Sequence, residues 1–125
     1  MVLASVPEMH ESIDPVSVVP AALVIMSEQV RDDAAETLRY FAEQGTVIKV
    51  ISGDSPATVV AIARSVGIDA GEGIDMSTYG DSPEDLAGVA ASGTVFGRVS
   101  PQQKRSLVKA LQAAGEVVAM TCLLY

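Results

Sequence analysis

The residues with the clearest chemical potential form the string Ser52-Gly53-Asp54, which follows an apolar run and precedes the pair Ser55-Pro56. The string combines a hydroxyl, a backbone amide without a side chain beside it, and a carboxylate. A loop that leads from a strand into a helix directs backbone N–H groups and the positive end of the helix dipole toward one spot. The pattern therefore predicts a site for a phosphate group.

Lys104 is the second candidate, because it lies one turn into a helix that begins at Ser100-Pro101. A lysine in that place can approach a phosphate at the edge of a sheet as a positive point charge. Without further information the two patterns are weak. Many strands end in a Ser-Gly-Asp turn, and a single helical lysine is most often solvated, so a purely structural role remains an alternative.

The elements that must position these residues alternate between apolar strands and capped helices. The predicted strands are Ala21–Ser27, Thr46–Ile51, Thr94–Arg98 and Glu116–Thr121. The predicted helices cover 31–45, Pro56–Val66, Pro83–Ala91 and Pro101–Ala114, and the last three begin at Ser-Pro pairs. Leu38, Phe41 and Ala42 are expected to face inward from the first helix, and residues 69–82 form a Gly-rich connection. The alternation predicts a Rossmann-like α/β fold with a parallel sheet, whose ligands lie at the carboxyl ends of the strands.

The composition excludes several classes of protein. A chain of 125 residues with 49% hydrophobic residues suits one domain with a buried sheet, and the net charge of −8 argues against nucleic-acid binding. The longest apolar run is interrupted by Pro20 and is too short for a membrane span, so we expect a soluble chain. The single cysteine, Cys122, permits no internal disulfide, and His10 is expected to be solvated.

Three segments carry a resemblance to a known family. "VISGDSPATVVAIARSVGI" resembles the T-G-D-N-x-x-T-A-x-A-I-A-x-x-x-G-I segment of P-type ATPases. "VFGRVSPQQKRSLVKALQAAGEVVAMT" is similar to their later R-V-x-P-x-x-K stretch, and "EQVRDDAAETLRYFAEQG" resembles the hinge that re-enters the phosphorylation domain. The segments occur in the family's order and cover about Leu23 to Thr121. The resemblance implies a domain of the haloacid dehalogenase type from a cation pump.

The resemblance also implies roles for individual residues. Ser52 would hold an oxygen of the acyl phosphate, Gly53 would give the backbone room, and Asp54 would order the loop near nucleotide and metal. Lys104 would offset the charge that develops on the transferred phosphoryl group. Arg31 would match the hinge arginine that helps to close the nucleotide-binding domain.

This chain departs from the family pattern at several points. The family's D-K-T-G-T and G-D-G-x-N-D strings do not occur, Glu28 stands in place of the hinge aspartate, and Gln29-Val30 replaces its prolines. We therefore expect an inactive fragment with no metal site or cofactor of its own. We divide it into an extended lead-in, 1–20, a partial phosphorylation domain, 21–121, and a non-native tail, 122–125.

The resemblance implies further properties for a parent pump. The parent would use ATP and Mg²⁺ and lie in the cell membrane, with this segment on the cytoplasmic side. The partners would be the nucleotide-binding and membrane domains of the same pump. The long passage between the Ser-Gly-Asp string and Lys104 resembles the calcium-like bacterial branch rather than heavy-metal pumps, and the transported ion stays open.

Two other functions are compatible with the pattern. The first is a free-standing haloacid dehalogenase-like phosphatase or phosphate-binding module, for which Asp14 and Glu28 are the only candidate nucleophiles and neither has the usual surroundings. The second is a receiver-like regulatory domain, which would need a pair of acidic residues at a strand end. Asp32-Asp33 begins a helix instead.

The missing nucleophile strand has a structural consequence as well. In the resembled domain that strand lies centrally, between the counterparts of Thr46–Ile51 and Glu116–Thr121. Unpaired backbone groups at such a gap favour another strand. We therefore expect Val117–Met120 to pair with Val47–Ile51, or the lead-in around Val16–Val19 to fill the gap, or two chains to exchange strands as a homodimer.

Overall fold

The computed structural model describes residues 2–5, 18–25 and 29–121. The chain divides between Gln29 and Val30 into two compact units. Several residues considered above lie outside the described residues, namely His10, Asp14, Glu28 and Cys122–Tyr125.

The first unit contains a pair of antiparallel strands. Strand β1, Val2–Ser5, pairs with strand β2, Val19–Leu23, and Leu3 lies opposite Ala22. A strand was predicted over Ala21–Ser27 as part of the parallel sheet, and residues 1–20 were predicted to be an extended lead-in. The strand instead begins at Val19 and belongs to a separate two-stranded sheet, because the apolar run near the N-terminus supplies a partner within a short stretch of chain.

The second unit is an α/β domain with a parallel sheet, which confirms the predicted fold class. Its sheet has the order β3-β5-β4, with β3 at Val50–Ile51, β4 at Ile74–Asp75 and β5 at Val95–Gly97. The helices are α1, Ala34–Glu43, α2, Pro56–Ser65, α3, Pro83–Ser92, and α4, Pro101–Ala113. A 3₁₀ turn covers Met76–Thr78. Strand β4 was predicted as part of a loop, because two residues are too few to show a strand's alternation.

The three Ser-Pro pairs begin helices as predicted. The Oγ atoms of Ser55, Ser82 and Ser100 accept hydrogen bonds from the backbone N–H three residues further on, at 3.3, 3.1 and 3.1 Å. The side chain of Gln103 also accepts from the N–H of Ser100 at 3.1 Å, which completes the predicted capping box. These caps fix where α2 and α4 begin, and thereby the position of the candidate residues beside them.

The core of the second unit lies on both faces of the sheet. Phe96, Met76, Leu86 and Leu107 are fully buried in one cluster, and a second cluster surrounds Val59. In α1, Leu38 is buried as predicted. Phe41 is 41% exposed and Ala42 is exposed, so the prediction that they face inward is wrong. The buried side of α1 is narrow, and the ring of Phe41 packs edge-on against Tyr40 at 5.9 Å.

Residues 116–121 do not form the predicted strand. Val117 is fully exposed and Met120 is 70% exposed, and β3 has a paired neighbour on one side only among the described strands. The expected pairing of Val117–Met120 with β3 is therefore wrong. Val19 pairs with Ser5 instead of filling the gap, whereas residues 16–17 lie outside the described part. Extended residues become a strand only where a neighbouring backbone accepts their hydrogen bonds, and the described chain provides none here.

Gln103 joins α4 to the segment that follows β4. Gln103 as a whole is 4% exposed, and its Nε2 donates to the carbonyl oxygens of Met76 at 2.9 Å, Tyr79 at 3.1 Å and Gly80 at 3.3 Å. A single buried side chain therefore satisfies several backbone acceptors in a segment with little regular structure.

We expect Gln103→Ala to lower the free energy of unfolding by about 2 kcal/mol, because it removes the donor shared by three carbonyl groups and the acceptor that completes the cap of α4. Urea denaturation followed by circular dichroism measures this change. The matched control is Gln102→Ala at the exposed neighbouring position, which we expect to change stability by less than about 0.5 kcal/mol. Equal stability of the two variants would contradict the proposed structural role of Gln103.

Candidate functional site

The loops after β3 and β5 meet at one edge of the sheet. The strands are parallel, with Ile51 opposite Phe96, so their carboxyl ends point the same way. The N–H of Ser52 donates to the carbonyl of Phe96 at 3.0 Å, and the N–H of Val99 donates to the carbonyl of Ser52 at 3.0 Å. These two hydrogen bonds hold the loop that carries Ser52 against the loop that leads into α4.

Ser52 and Asp54 form a compact polar turn at this edge. The Ser52 hydroxyl donates to Asp54 Oδ2 at 2.8 Å, and the N–H of Asp54 donates back to Ser52 Oγ at 3.2 Å. Ser52 is half-buried, whereas Gly53 and Asp54 are exposed. The hydroxyl is thus oriented by its neighbour and is able to redirect its hydrogen bond to an oxygen of an approaching ligand.

Two helices, α2 and α4, begin beside this turn. Neither α2 nor α4 has an acidic residue in its first turn, whereas α3 carries Glu84 and Asp85 there. The positive end of a helix dipole favours negative charge, and nearby acidic side chains compete with an external anion. The first turns of α2 and α4 therefore favour an anion at this edge, and the Asp54 carboxylate just before α2 is the acidic group that opposes one.

The structure brings Lys104 to the same edge as Ser52. Lys104 follows the first residues of α4, which begins directly after the loop bonded to Ser52, and its side chain is half-buried. Its ammonium group forms no hydrogen bond or ion pair with any residue that the structure describes. The charge of Lys104 is thus not neutralised within the described part of the chain.

Arg31 lies at the start of α1 and not in the Ser52 loop. It precedes α1, where Nε and Nη2 donate to the two carboxylate oxygens of Asp33 at 3.1 and 2.9 Å. These hydrogen bonds lower the pKa of Asp33 below its usual value. Arg31 therefore lies beside the start of α1, whereas Ser52, Gly53, Asp54 and the start of the helix that carries Lys104 meet at the edge of the sheet.

The structure adds three residues that the sequence analysis did not single out. Arg98 Nη1 lies 2.9 Å from Asp75 Oδ2, and the N–H of Arg98 donates to the carbonyl of Asp54 at 2.7 Å. Gly97, which ends β5, is buried against the same turn. Arg98 is the first residue of the R-V-x-P-x-x-K stretch, but its contacts with β4 and with the Ser52 loop join distant segments and could not be predicted from that stretch.

Asp75 is held in its ionised form at the end of β4. Its Oδ1 accepts hydrogen bonds from the hydroxyl of Ser77 at 2.6 Å and from the N–H of Ser77 at 3.1 Å. These contacts, together with the neighbouring Arg98, lower the pKa of Asp75 below its usual value. The carboxylate is therefore a stable partner for the Arg98 guanidinium at neutral pH.

The described residues do not suit a divalent metal by themselves. They contain no group of three His, Cys, Asp or Glu side chains that could hold an ion. Asp54 is the carboxylate of the Ser52 turn, and one of its oxygens already accepts from Ser52. Mg²⁺ prefers several oxygen ligands in octahedral geometry, and the described residues at this edge do not supply such a set. In the described part of the chain, no helix is both long and apolar enough to cross a membrane.

Comparison with known proteins places these features in a family. Residues 6–121 match the family model described as haloacid dehalogenase-like hydrolase. Over 107 residues, or 86% of this chain, the sequence is 48% identical to the calcium-transporting ATPase CtpE of Mycolicibacterium smegmatis. It is also 39% identical over 113 residues, or 90% of this chain, to the probable cation-transporting ATPase exp7 of Streptococcus pneumoniae. The cation-transporting ATPase pma1 of Synechocystis is 40% identical over 102 residues, or 77% of this chain.

These relatives are much longer proteins. The matched region spans 13% of the M. smegmatis ATPase, 14% of the S. pneumoniae protein and 11% of the Synechocystis protein. The similarity therefore concerns one segment of each relative.

Proposed function

The chain belongs to the haloacid dehalogenase-like hydrolase family, and from this premise we propose that it acts as part of the phosphorylation domain of an ATP-driven cation pump. The similarity to several cation-transporting ATPases supports the proposal. The observation that carries it is the single sheet edge shared by Ser52 and Lys104, since a phosphoryl group needs an oriented donor and a positive charge at the same place.

The proposed mechanism assigns a separate task to each residue of this edge. The Ser52 hydroxyl turns its hydrogen bond from Asp54 to an oxygen of the phosphoryl group. Gly53 leaves the backbone accessible, and Asp54 returns the hydroxyl to its resting orientation when the phosphoryl group leaves. The Lys104 ammonium offsets the negative charge that accumulates on the equatorial oxygens during transfer. Each of these tasks concerns binding or charge, and none supplies a nucleophile.

We further propose that the nucleophilic aspartate, ATP and Mg²⁺ are brought to this edge by other parts of a longer pump. In that arrangement the second unit lies on the cytoplasmic side of the membrane, beside the nucleotide-binding and membrane domains, and Arg31 serves the hinge between domains. The calcium-like branch is favoured by the long passage between Gly67 and Lys104, which holds β4, α3 and β5.

A chimera tests this function directly. Residues 30–121 replace the matching segment of the M. smegmatis ATPase, and labelling with γ-³²P ATP measures the acid-stable phosphoenzyme. We expect the chimera to be labelled and the isolated chain to remain unlabelled, because the D-K-T-G-T string that carries the family's nucleophile is supplied only by the chimera. An unlabelled chimera that inserts and folds normally would contradict the pump proposal. Hydrolysis of p-nitrophenyl phosphate by the isolated chain would favour a free-standing phosphatase instead.

The exposed edge of β3 leads to a separate proposal about partners. Val47 is 77% exposed beside β3, and Val117 and Met120 are also exposed. Apolar residues beside an unpaired strand edge favour the addition of a further strand. We propose that a strand from the rest of the pump covers this edge, and that isolated chains exchange strands to form a homodimer.

Size-exclusion chromatography with light scattering tests the homodimer. We expect a concentration-dependent dimer, and we expect Val47→Lys to shift the population toward monomer because a charged side chain disfavours pairing at an edge. Lys109→Ala, at an exposed position on α4, is the control and should leave the population unchanged. A wild-type chain that stays monomeric at high concentration would contradict strand exchange.

A further inference from the structure

The turn that follows β5 has an unusual backbone. Arg98 has a φ of +53°, and it is the only non-glycine residue with a positive φ in the described chain. In this left-handed conformation a side chain with a Cβ atom is disfavoured, so glycine is the usual occupant. A non-glycine residue is kept in such a conformation when surrounding contacts determine it.

The left-handed conformation of Arg98 directs two successive N–H groups into the Ser52 turn. The N–H of Arg98 reaches the carbonyl of Asp54 at 2.7 Å, and the N–H of Val99 reaches the carbonyl of Ser52 at 3.0 Å. Both ends of the Ser52-Gly53-Asp54 string are therefore held by this turn. Two bonds at two positions fix the orientation of the string as well as its location.

The side chain of Arg98 has a partner that can maintain this conformation. The Arg98 guanidinium lies 2.9 Å from Asp75, at the end of β4, which is the strand on the far side of β5 from Ser52. Asp75 in turn is fixed by two hydrogen bonds from Ser77. The three strands are thus connected at one edge in the order β4, β5, β3 through the ion pair and the two amide hydrogen bonds.

We infer that Arg98 is a positioning residue, whose ion pair with Asp75 keeps the turn left-handed and so holds the Ser52 loop in the geometry that receives phosphate. This inference rests on the proposed function for its phosphate ligand. Arg98 does not need to touch the phosphate in this role. Its guanidinium pairs with Asp75, and the backbone N–H groups of Arg98 and Val99 hold the loop that carries Ser52.

Two substitutions of Arg98 distinguish the positioning role from direct contact between the guanidinium and phosphate. Arg98→Ala removes the ion pair and retains the steric cost of a left-handed residue. Arg98→Gly also removes the ion pair, but glycine adopts a positive φ without that cost. The Arg98 side chain is 56% exposed, so neither substitution disturbs the core. Arg105→Ala, at an exposed position of α4, is the control for loss of a positive charge.

The experiment uses the full chain and two measurements. Amide hydrogen exchange gives protection factors for residues 98 and 99, and NMR titration with inorganic phosphate gives a dissociation constant from the amide shifts of Gly53 and Asp54. We expect Arg98→Ala to lower both protection factors and phosphate affinity by about fivefold, because the exposed ion pair with Asp75 is lost while the left-handed cost stays. We expect Arg98→Gly and Arg105→Ala to stay within about twofold of the unmodified chain.

The outcomes distinguish the inference from the proposed function. Equal losses in Arg98→Ala and Arg98→Gly, or no loss of protection in either, would overturn the positioning role. Equal weakening of phosphate binding with unchanged exchange would indicate that the guanidinium contacts the anion itself, which also overturns it. If the unmodified chain binds no phosphate, the proposed function of the Ser52 edge fails, and the exchange measurements still decide whether Arg98 holds the loop.

Discussion

The Lys104→Ala variant of the chimeric ATPase is expected to form phosphoenzyme about 100-fold to 1,000-fold more slowly than the chimera itself. The reason is that a preorganised positive charge stabilises the transferred phosphoryl group more in the transition state than in bound ATP. The Lys104 ammonium has no ion pair with the residues described, so its charge is not already neutralised within the domain. Rapid-quench labelling with γ-³²P ATP at saturating ATP measures the rate.

The control for this experiment is Arg105→Ala, which removes a positive charge from the next, exposed residue of α4. We expect it to label at the rate of the chimera. Lys104→Arg adds a second comparison, because arginine keeps the charge but places it on a larger, planar group, and we expect partial activity. A Lys104→Ala chimera that labels as fast as the Arg105→Ala chimera would remove Lys104 from the proposed mechanism.

The second large effect is expected for Gly97→Ala, at the end of β5. A Cβ atom there would lie 2.5 Å from the backbone nitrogen of Pro56, 2.6 Å from its Cα and 2.9 Å from the carbonyl oxygen of Asp54. All three are backbone atoms, so no side-chain rotation relieves the contact. We expect the variant to lose about 2 to 3 kcal/mol of stability, which is the usual cost of overpacking.

Gly88→Ala is the matched control for this substitution. Gly88 lies in α3, and a Cβ atom there has nothing within 4 Å. Because alanine is a better helix former than glycine, we expect a gain of about 0.5 to 1 kcal/mol. Urea denaturation of both variants gives the two free energies. If Gly97→Ala is as stable as the unmodified chain, the close approach of the Ser52 loop to β5 is not a constraint on the fold.

Much of the second unit was readable from its sequence because the signals are local. A serine accepts the N–H three residues further on whatever the rest of the chain does, so the Ser-Pro pairs predicted the starts of α2, α3 and α4 correctly. Gly45, Gly67 and Gly115 follow α1, α2 and α4 within two residues, and all three have the positive φ that is common just after a helix. The parallel sheet followed from the alternation of these helices with apolar strands, and the Ser52 string was visible as the end of one such strand.

The elements that were predicted wrongly depend on partners distant in the sequence. Residues 116–121 are as apolar as β5, but a strand exists only where another backbone pairs with it, and composition does not reveal whether that neighbour is present. The run at Val19–Leu23 is equally suited to a parallel or an antiparallel sheet, and only the pairing with Val2–Ser5 decided between them. Phe41 has the spacing of a core residue, yet the width of the surface that α1 covers leaves it exposed.

The sequence by itself determined the types of residue at the candidate site, the helix caps beside them and the fold class. Only the tertiary structure decided that Ser52 and Lys104 share an edge, that Arg31 pairs with Asp33, and that Asp75 and Arg98 support the Ser52 turn. The physical reason is that hydroxyl, charge and capping chemistry belong to single residues and their near neighbours. The φ of Arg98 and the absence of space at Gly97 instead arise where three strands and two loops meet, and no single segment contains that information.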